Sequence, residues 1–108
     1  VRLVIIESRY AGDVELNVRY ARACLRDSLL RGEAPYASHL LYTQPGVLDD
    51  LIPDERNHGI NAGFAWRAVA EASIFYEDLG YSKGMILGLE HARFVGQVCE
   101  FRKIEGWK

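Results

Sequence analysis

No apolar stretch in these 108 residues approaches the roughly 20 needed to span a bilayer as a helix. The first apolar run, Leu3-Val4-Ile5-Ile6, is strand-sized and too short for a cleaved leader. Basic charge is not in excess: Lys and Arg number 13 against 15 Asp and Glu, for a net charge of −2. A chain so balanced has no long-range pull toward nucleic acid or an anionic membrane, and no basic run supplies a local one. Cysteine is scarce. Cys24 and Cys99 fall at expected helix and strand positions and read as small buried hydrophobes of a reducing compartment. A disulfide would require their backbones to be neighbours, which spacing alone does not establish. No histidine pairs with a cysteine at metal-ligand spacing, so neither a metal nor a cofactor is expected. Dinucleotide G-x-G-x-x-G and nucleophile-elbow G-x-S-x-G patterns are both missing. Repeats and low-complexity segments are missing too. What remains is a cytoplasmic-type globular chain, 49% hydrophobic and 26% charged, sized for one domain over residues 1–108.

What is present alternates between strand and helix signals. Val1–Glu7 is a β-branched apolar run ending in a charge, and reads as a strand buried on both faces. Ser8–Gly12 is a loop. Asp13 is a helix N-cap, with Val14, Val18, Ala21 and Leu25 recurring at helical spacing and Gly32 as the stop. Tyr36–Tyr42 reads as a second strand, with Pro35 at its entrance and His39 inside it. Thr43–Ile52 is a long loop with a Pro45-Gly46 turn. Pro53, Asp54 and Glu55 suit a helix start, and Arg56–Ala72 continues it, with Gly59 and Gly63 four apart for close backbone approach. Ser73–Glu77 is a third strand. Ser82–Val95 is a helix with Met85, Leu89 and Ala92 on one face and Gly84 and Gly88 repeating the glycine spacing; Gln97–Arg102 is a fourth strand. This β-α-β-α-β-α-β order predicts a three-layer α/β/α domain of flavodoxin-like type, with a small, mainly parallel four-stranded sheet. Ligands of such sheets bind at the carboxyl ends of the strands, where three loops converge. The sheet edges and the small size of the domain favour a homo-oligomer.

Candidate chemistry follows from those loops. In the first, Arg9 suits a phosphate, Tyr10 a ring, and Gly12 a close backbone approach; the bland alternatives are a turn glycine and an Asp13 cap. At the third, Ser82-Lys83-Gly84 opens a helix whose free N–H groups attract an anion, or is simply a serine cap. Glu77-Asp78 closes the third strand. Neighbouring strand residues point to opposite faces, so Asp78, nearer the loop, is the candidate base and a turn aspartate is its alternative. His39 is a candidate site residue or a hydrogen-bonded edge histidine. The aromatics Tyr42, Phe64, Trp66, Phe75 and Tyr76 read as core or interface.

Three segments, Glu7–Asp13, Ser38–Gln44 and Asp78–Met85, resemble small phage-type domains of unknown function that look like the nucleoside 2-deoxyribosyltransferase superfamily. The resemblance implies a pocket enclosed by the first loop and the last helix, holding a nucleoside or nucleotide, with Ser8, Arg9, Tyr10, Gly12, Asp13, His39, Asp78, Ser82, Lys83, Gly84 and Met85 as ligand-binding positions. Superfamily enzymes carry a nucleophilic glutamate one turn into that helix. Aligning Gly84 and Ala92 puts Gly88 at that place. Glu90 falls about 200° further round. The expectation is therefore binding, with sequestration of a signal nucleotide in a phage-infected cell as a refinement. An N-glycosidase or deoxyribosyltransferase using Asp78 or Glu77 is the alternative, and a structural oligomer a second one.

Overall fold

The computed structural model describes residues 1–107. Four strands form one parallel sheet in the order β2-β1-β3-β4: β1 is Leu3–Glu7, β2 Ala34–Tyr36, β3 Ala72–Tyr76 and β4 Cys99–Arg102. β3 is buried along its whole length, and Val4, Ile5 and Ile6 of β1 are equally covered. This is the doubly covered run that the apolar sequence predicts. Alternation along the strands sends Val4, Ile6, Ile74 and Tyr76 into a core with Tyr20 and Cys24 of helix α1, Val14–Leu30. Ile5 and Glu7 face the other way, toward helices α3, Pro53–Ala65, and α4, Lys83–Phe94. Helices thus cover both faces, and the expected three layers are present.

α1 starts at the Asp13 cap, whose Oδ1 accepts from the Leu16 N–H at 3.2 Å. Its buried stripe is Asn17, Tyr20, Ala21, Cys24 and Ser28, rotated from the stripe expected from Val14, Val18 and Leu25. Tyr20 decides the rotation, because its ring packs on Trp107 at 5.0 Å and its hydroxyl reaches the Asp78 carboxylate. Cys99 is half-buried and Cys24 fully buried; both are free thiols.

Two elements differ from the sequence reading. The second strand stops at Tyr36, and Ser38–Leu41 turns into a short helix, α2. His39 therefore stands on a helix. The strand signal loses because β2 lies at an edge, where Pro35 is tolerated, and because α2 packs directly on α3. A Cβ added at Gly63 would sit 2.6 Å from Ser38 Oγ. α3 itself ends at Ala65, seven residues earlier than expected, in a 3₁₀ turn over Trp66–Ala68. That tighter turn brings Arg67 inward, where its side chain is 2% exposed.

Candidate functional site

A cavity of about 490 Å³ opens at the carboxyl edge of the sheet. Its walls are the β1–α1 loop, α2, α3 and the start of α4. A more open depression of about 660 Å³ adjoins it and shares Tyr10, Gly12, Thr43 and Leu48.

The loops that frame it are tied together. Asn17 Nδ2 donates to the Tyr10 and Ala11 carbonyls at 2.9 and 3.1 Å, and Gly12 takes φ +102°, a value that favours glycine. Arg9 Nη1 donates to the Leu79 carbonyl at 3.2 Å, joining the first loop to the loop before α4. Ser82 caps α4 by accepting from the Met85 N–H at 3.2 Å. No side chain among the described residues takes up the Lys83 and Gly84 N–H groups, which lie on the cavity wall. The serine cap and the anion point coexist: capping uses one donor and leaves the first ones free.

At the inner end, Glu7 meets Arg67 in an ion pair between Oε2 and Nη2. The Glu7 side chain is 15% exposed. Burial raises its pKa, and the Arg67 guanidinium offsets that rise only in part. The Arg67 guanidinium also lies 5.2 Å above the Phe64 ring, and that ring stacks on His91 at 4.1 Å. Beside them Ser8 Oγ and His39 Nε2 share a hydrogen bond of 2.7 Å. Burial pushes the His39 pKa down to about 4, so the imidazole is neutral at pH 7.

The low His39 pKa makes a stability prediction. Between about pH 6.5 and 4 the unfolded chain holds a proton on His39 that the folded chain lacks, so stability falls as pH falls through that window. The loss attributable to His39 is up to about 3 kcal/mol. Denaturant titrations at pH 7, 5.5 and 4 should show a smaller decline for His39→Gln than for the wild type.

Of the positions read from sequence, Ser8, Arg9, Tyr10, Gly12, His39, Ser82, Lys83, Gly84 and Met85 line the cavity. Asp13 and Asp78 are not among its lining residues. Asp13 is engaged as a cap. The Asp78 Oδ2 accepts from the Tyr20 hydroxyl and, at 2.9 Å, from the Ile104 N–H, so it staples the β3–α4 loop to α1 and the chain's end. Glu77 instead accepts from the Tyr81 hydroxyl at 2.7 Å. Asp78→Ala is expected to cost about 2–3 kcal/mol of stability through the two hydrogen bonds lost at Oδ2, leaving ligand affinity unchanged. Urea melts and calorimetric titration check the two halves.

Sequence reasoning missed Glu7, Tyr42, Arg56, Phe64 and Arg67 as lining residues. Glu7 carried a signal, a charge closing an apolar strand at the ligand edge. Tyr42 lies in the Ser38–Gln44 segment but reads as core or interface; Arg56, Phe64 and Arg67 carried no signal, because α3 and the turn after it reach the site through packing on α2.

Comparison with known proteins places the fold. The family model described as "Domain of unknown function (DUF7768)" matches residues 2–102. The chain belongs to that family. No curated protein matches it by sequence. A solved 2-deoxyribosyltransferase from the psychrotolerant bacterium Bacillus psychrosaccharolyticus is similar in structure, with a TM-score of 0.64 at 15% identity, over 98% of this chain and 75% of that one. The DUF7768 chain thus shares that enzyme's fold, as the sequence resemblance implies. Among the described residues no helix is long and apolar enough to cross a membrane.

Proposed function

We propose that this DUF7768 domain binds a nucleoside or nucleotide-derived small molecule in the cavity at the carboxyl edge of its sheet. The observation that carries the reading is the cavity's make-up. It has ligand size, aromatic walls from Tyr10, Tyr42, Phe64 and Tyr81, and a helix start with free N–H groups beside Lys83. Rings suit a base, and the helix start suits a phosphate or a sugar hydroxyl. Sequestration of a signal nucleotide would use the same cavity without turnover, in a bacterial or phage-infected cell. Self-association belongs to the same reading: Leu87 and Phe94 of α4 and Phe101 of edge strand β4 are exposed, and light scattering reads the stoichiometry.

Thermal melts with millimolar nucleosides and nucleotides test the binding. A ligand at 100 times its Kd adds about 2.7 kcal/mol, which should raise Tm by several degrees or more. Unshifted melts across the set would remove the reading. A glycosidase or transferase remains the second reading, on one observation: Glu7 is the carboxylate at the inner end of the cavity, where Asp78 is not. Release of free base from a nucleoside, lost in a Glu7 variant, would establish it.

A further inference from the structure

We infer that Glu7 receives the uncharged end of the ligand, through a hydroxyl or N–H that the ligand donates to Oε1, and that the missing side chain at Gly88 is what admits this carboxylate to the site. The ligand class rests on the nucleoside-type reading above; the placement of Glu7 rests on geometry alone.

Glu7 is the last residue of β1 and lines the cavity. Its Oε2 is committed to Arg67, but no hydrogen bond among the described residues goes to Oε1. Oε1 is not sealed away from the cavity, so it stands open as an acceptor for a donor that enters there. Its other neighbour is α4. A Cβ built on Gly88 would stand 2.5 Å from Oε2, 2.9 Å from Cδ and 3.1 Å from Oε1. The carboxylate therefore occupies the space where any other residue at 88 would begin its side chain. Glycine inside a helix costs about 1 kcal/mol relative to alanine, and here that cost leaves room for a charged group facing a cavity. Arg67, 2% exposed, compensates the charge and acts as a positioning residue.

The distribution of charge then orients the ligand. The inner carboxylate repels an anion and accepts a donor. Arg9, Arg56 and Lys83 also line the cavity, and none of them forms an ion pair among the described residues. Asp50 and Glu55 line it too, and Glu55 Oε1 is occupied by the Asp49 N–H at 3.0 Å. A nucleoside monophosphate would accordingly enter with its phosphate toward Lys83 and the start of α4. Either a sugar hydroxyl or a base N–H would then point at Glu7.

The test is calorimetric titration of the wild-type chain with the 5′-monophosphates of adenosine, guanosine, cytidine and uridine. The tightest is then compared with its 2′,3′-dideoxy analogue and its base-N-methylated analogue. Both comparisons are repeated on a paired variant, Glu7→Met with Arg67→Met, which removes the two charges together and so avoids stranding either one. The expected result is at least a tenfold loss for one of the two analogues on the wild type, a similar loss of the parent on the paired variant, and no further loss when the two are combined. The analogue that weakens tells hydroxyl from N–H. Analogues that bind the wild type as well as the parent, or losses that add fully on the paired variant, would overturn the Glu7 inference while leaving the binding reading intact. If none of the four nucleotides binds the wild type, the Glu7 inference falls, and the melts with nucleosides and nucleotides decide the binding reading. Should the paired variant not fold, the analogue comparison on the wild type decides alone.

Discussion

Arg67→Met is expected to lower the melting temperature by roughly 12–25 °C. The arginine side chain is 2% exposed and its partner, Glu7, is 15% exposed. Removing the cation leaves a buried carboxylate without compensation, and breaking such a pair from one side costs about 3–5 kcal/mol. For a domain of this size, each kcal/mol corresponds to roughly 4–5 °C. The paired variant, Glu7→Met with Arg67→Met, should recover most of the loss, since it buries two apolar side chains instead of one lone charge. The difference between the single and paired variants is the signature of coupling. Equal destabilisation by both would mean that Arg67 matters through its contact with the Phe64 ring, 5.2 Å away, and not through Glu7. Thermal melts of the three proteins provide the comparison.

Gly88→Ala and Gly84→Ala should separate sharply, although the two glycines lie four residues apart on the same helix. At Gly84 the nearest atom to an added Cβ is Ser82 Oγ at 3.8 Å, an ordinary contact. Alanine there gains about 1 kcal/mol of helix propensity and should leave binding nearly unchanged. At Gly88 the methyl group would fall 2.5 Å from Glu7 Oε2. A carboxylate at the end of a flexible side chain can swing away, so the fold survives, but Tm falls, because the helix gain of about 1 kcal/mol is smaller than the cost of disturbing the buried ion pair. The moved carboxylate no longer faces the ligand. Affinity for the tightest nucleotide should fall at least tenfold in Gly88→Ala, with less than a threefold change in Gly84→Ala. Titrations on the two variants, run beside melts, read both quantities.

These glycines also show where the sequence was legible. The spacing Gly59/Gly63 and Gly84/Gly88 suggested close backbone approach at all four positions. Only Gly63, against Ser38, and Gly88, against Glu7, are tight. Periodicity reveals that small residues share a face, but which one meets a neighbour depends on packing across the sheet. The order of strands and helices was readable because β1 and β3 are uninterrupted apolar runs, and because Asp13 and Ser82 carry their own caps. α2 was hidden. Tyr36–Tyr42 has the residues of a strand, and its helical half is set by contact with α3, a tertiary effect that overrides local preference. The same contact explains the site. The first loop and the start of α4 carry visible turn chemistry, and nine of the positions read there, or at His39, line the cavity. Arg67 and Phe64 belong to a helix end whose inward turn has no local marker. Asp78 was attractive because it closes a strand at the ligand edge, yet the Tyr20 hydroxyl draws it toward α1. Glu7 closes the neighbouring strand on the face that α3 and α4 cover, and there the polar group meets the cavity.

The most direct test of the account is native-state mass spectrometry of the chain with nucleosides and their 5′-monophosphates at millimolar concentration. A variant whose cavity is filled, Gly59→Trp, serves as the control; Gly59 lines the cavity, and a Cβ there meets nothing closer than Leu48 Cδ1 at 3.4 Å. The expected spectrum shows one nucleotide or nucleoside per wild-type chain and the bare chain for the filled variant. The bare mass from the wild type in every mixture, or the same adduct on both proteins, would contradict the claim that this cavity is a nucleotide-type binding site.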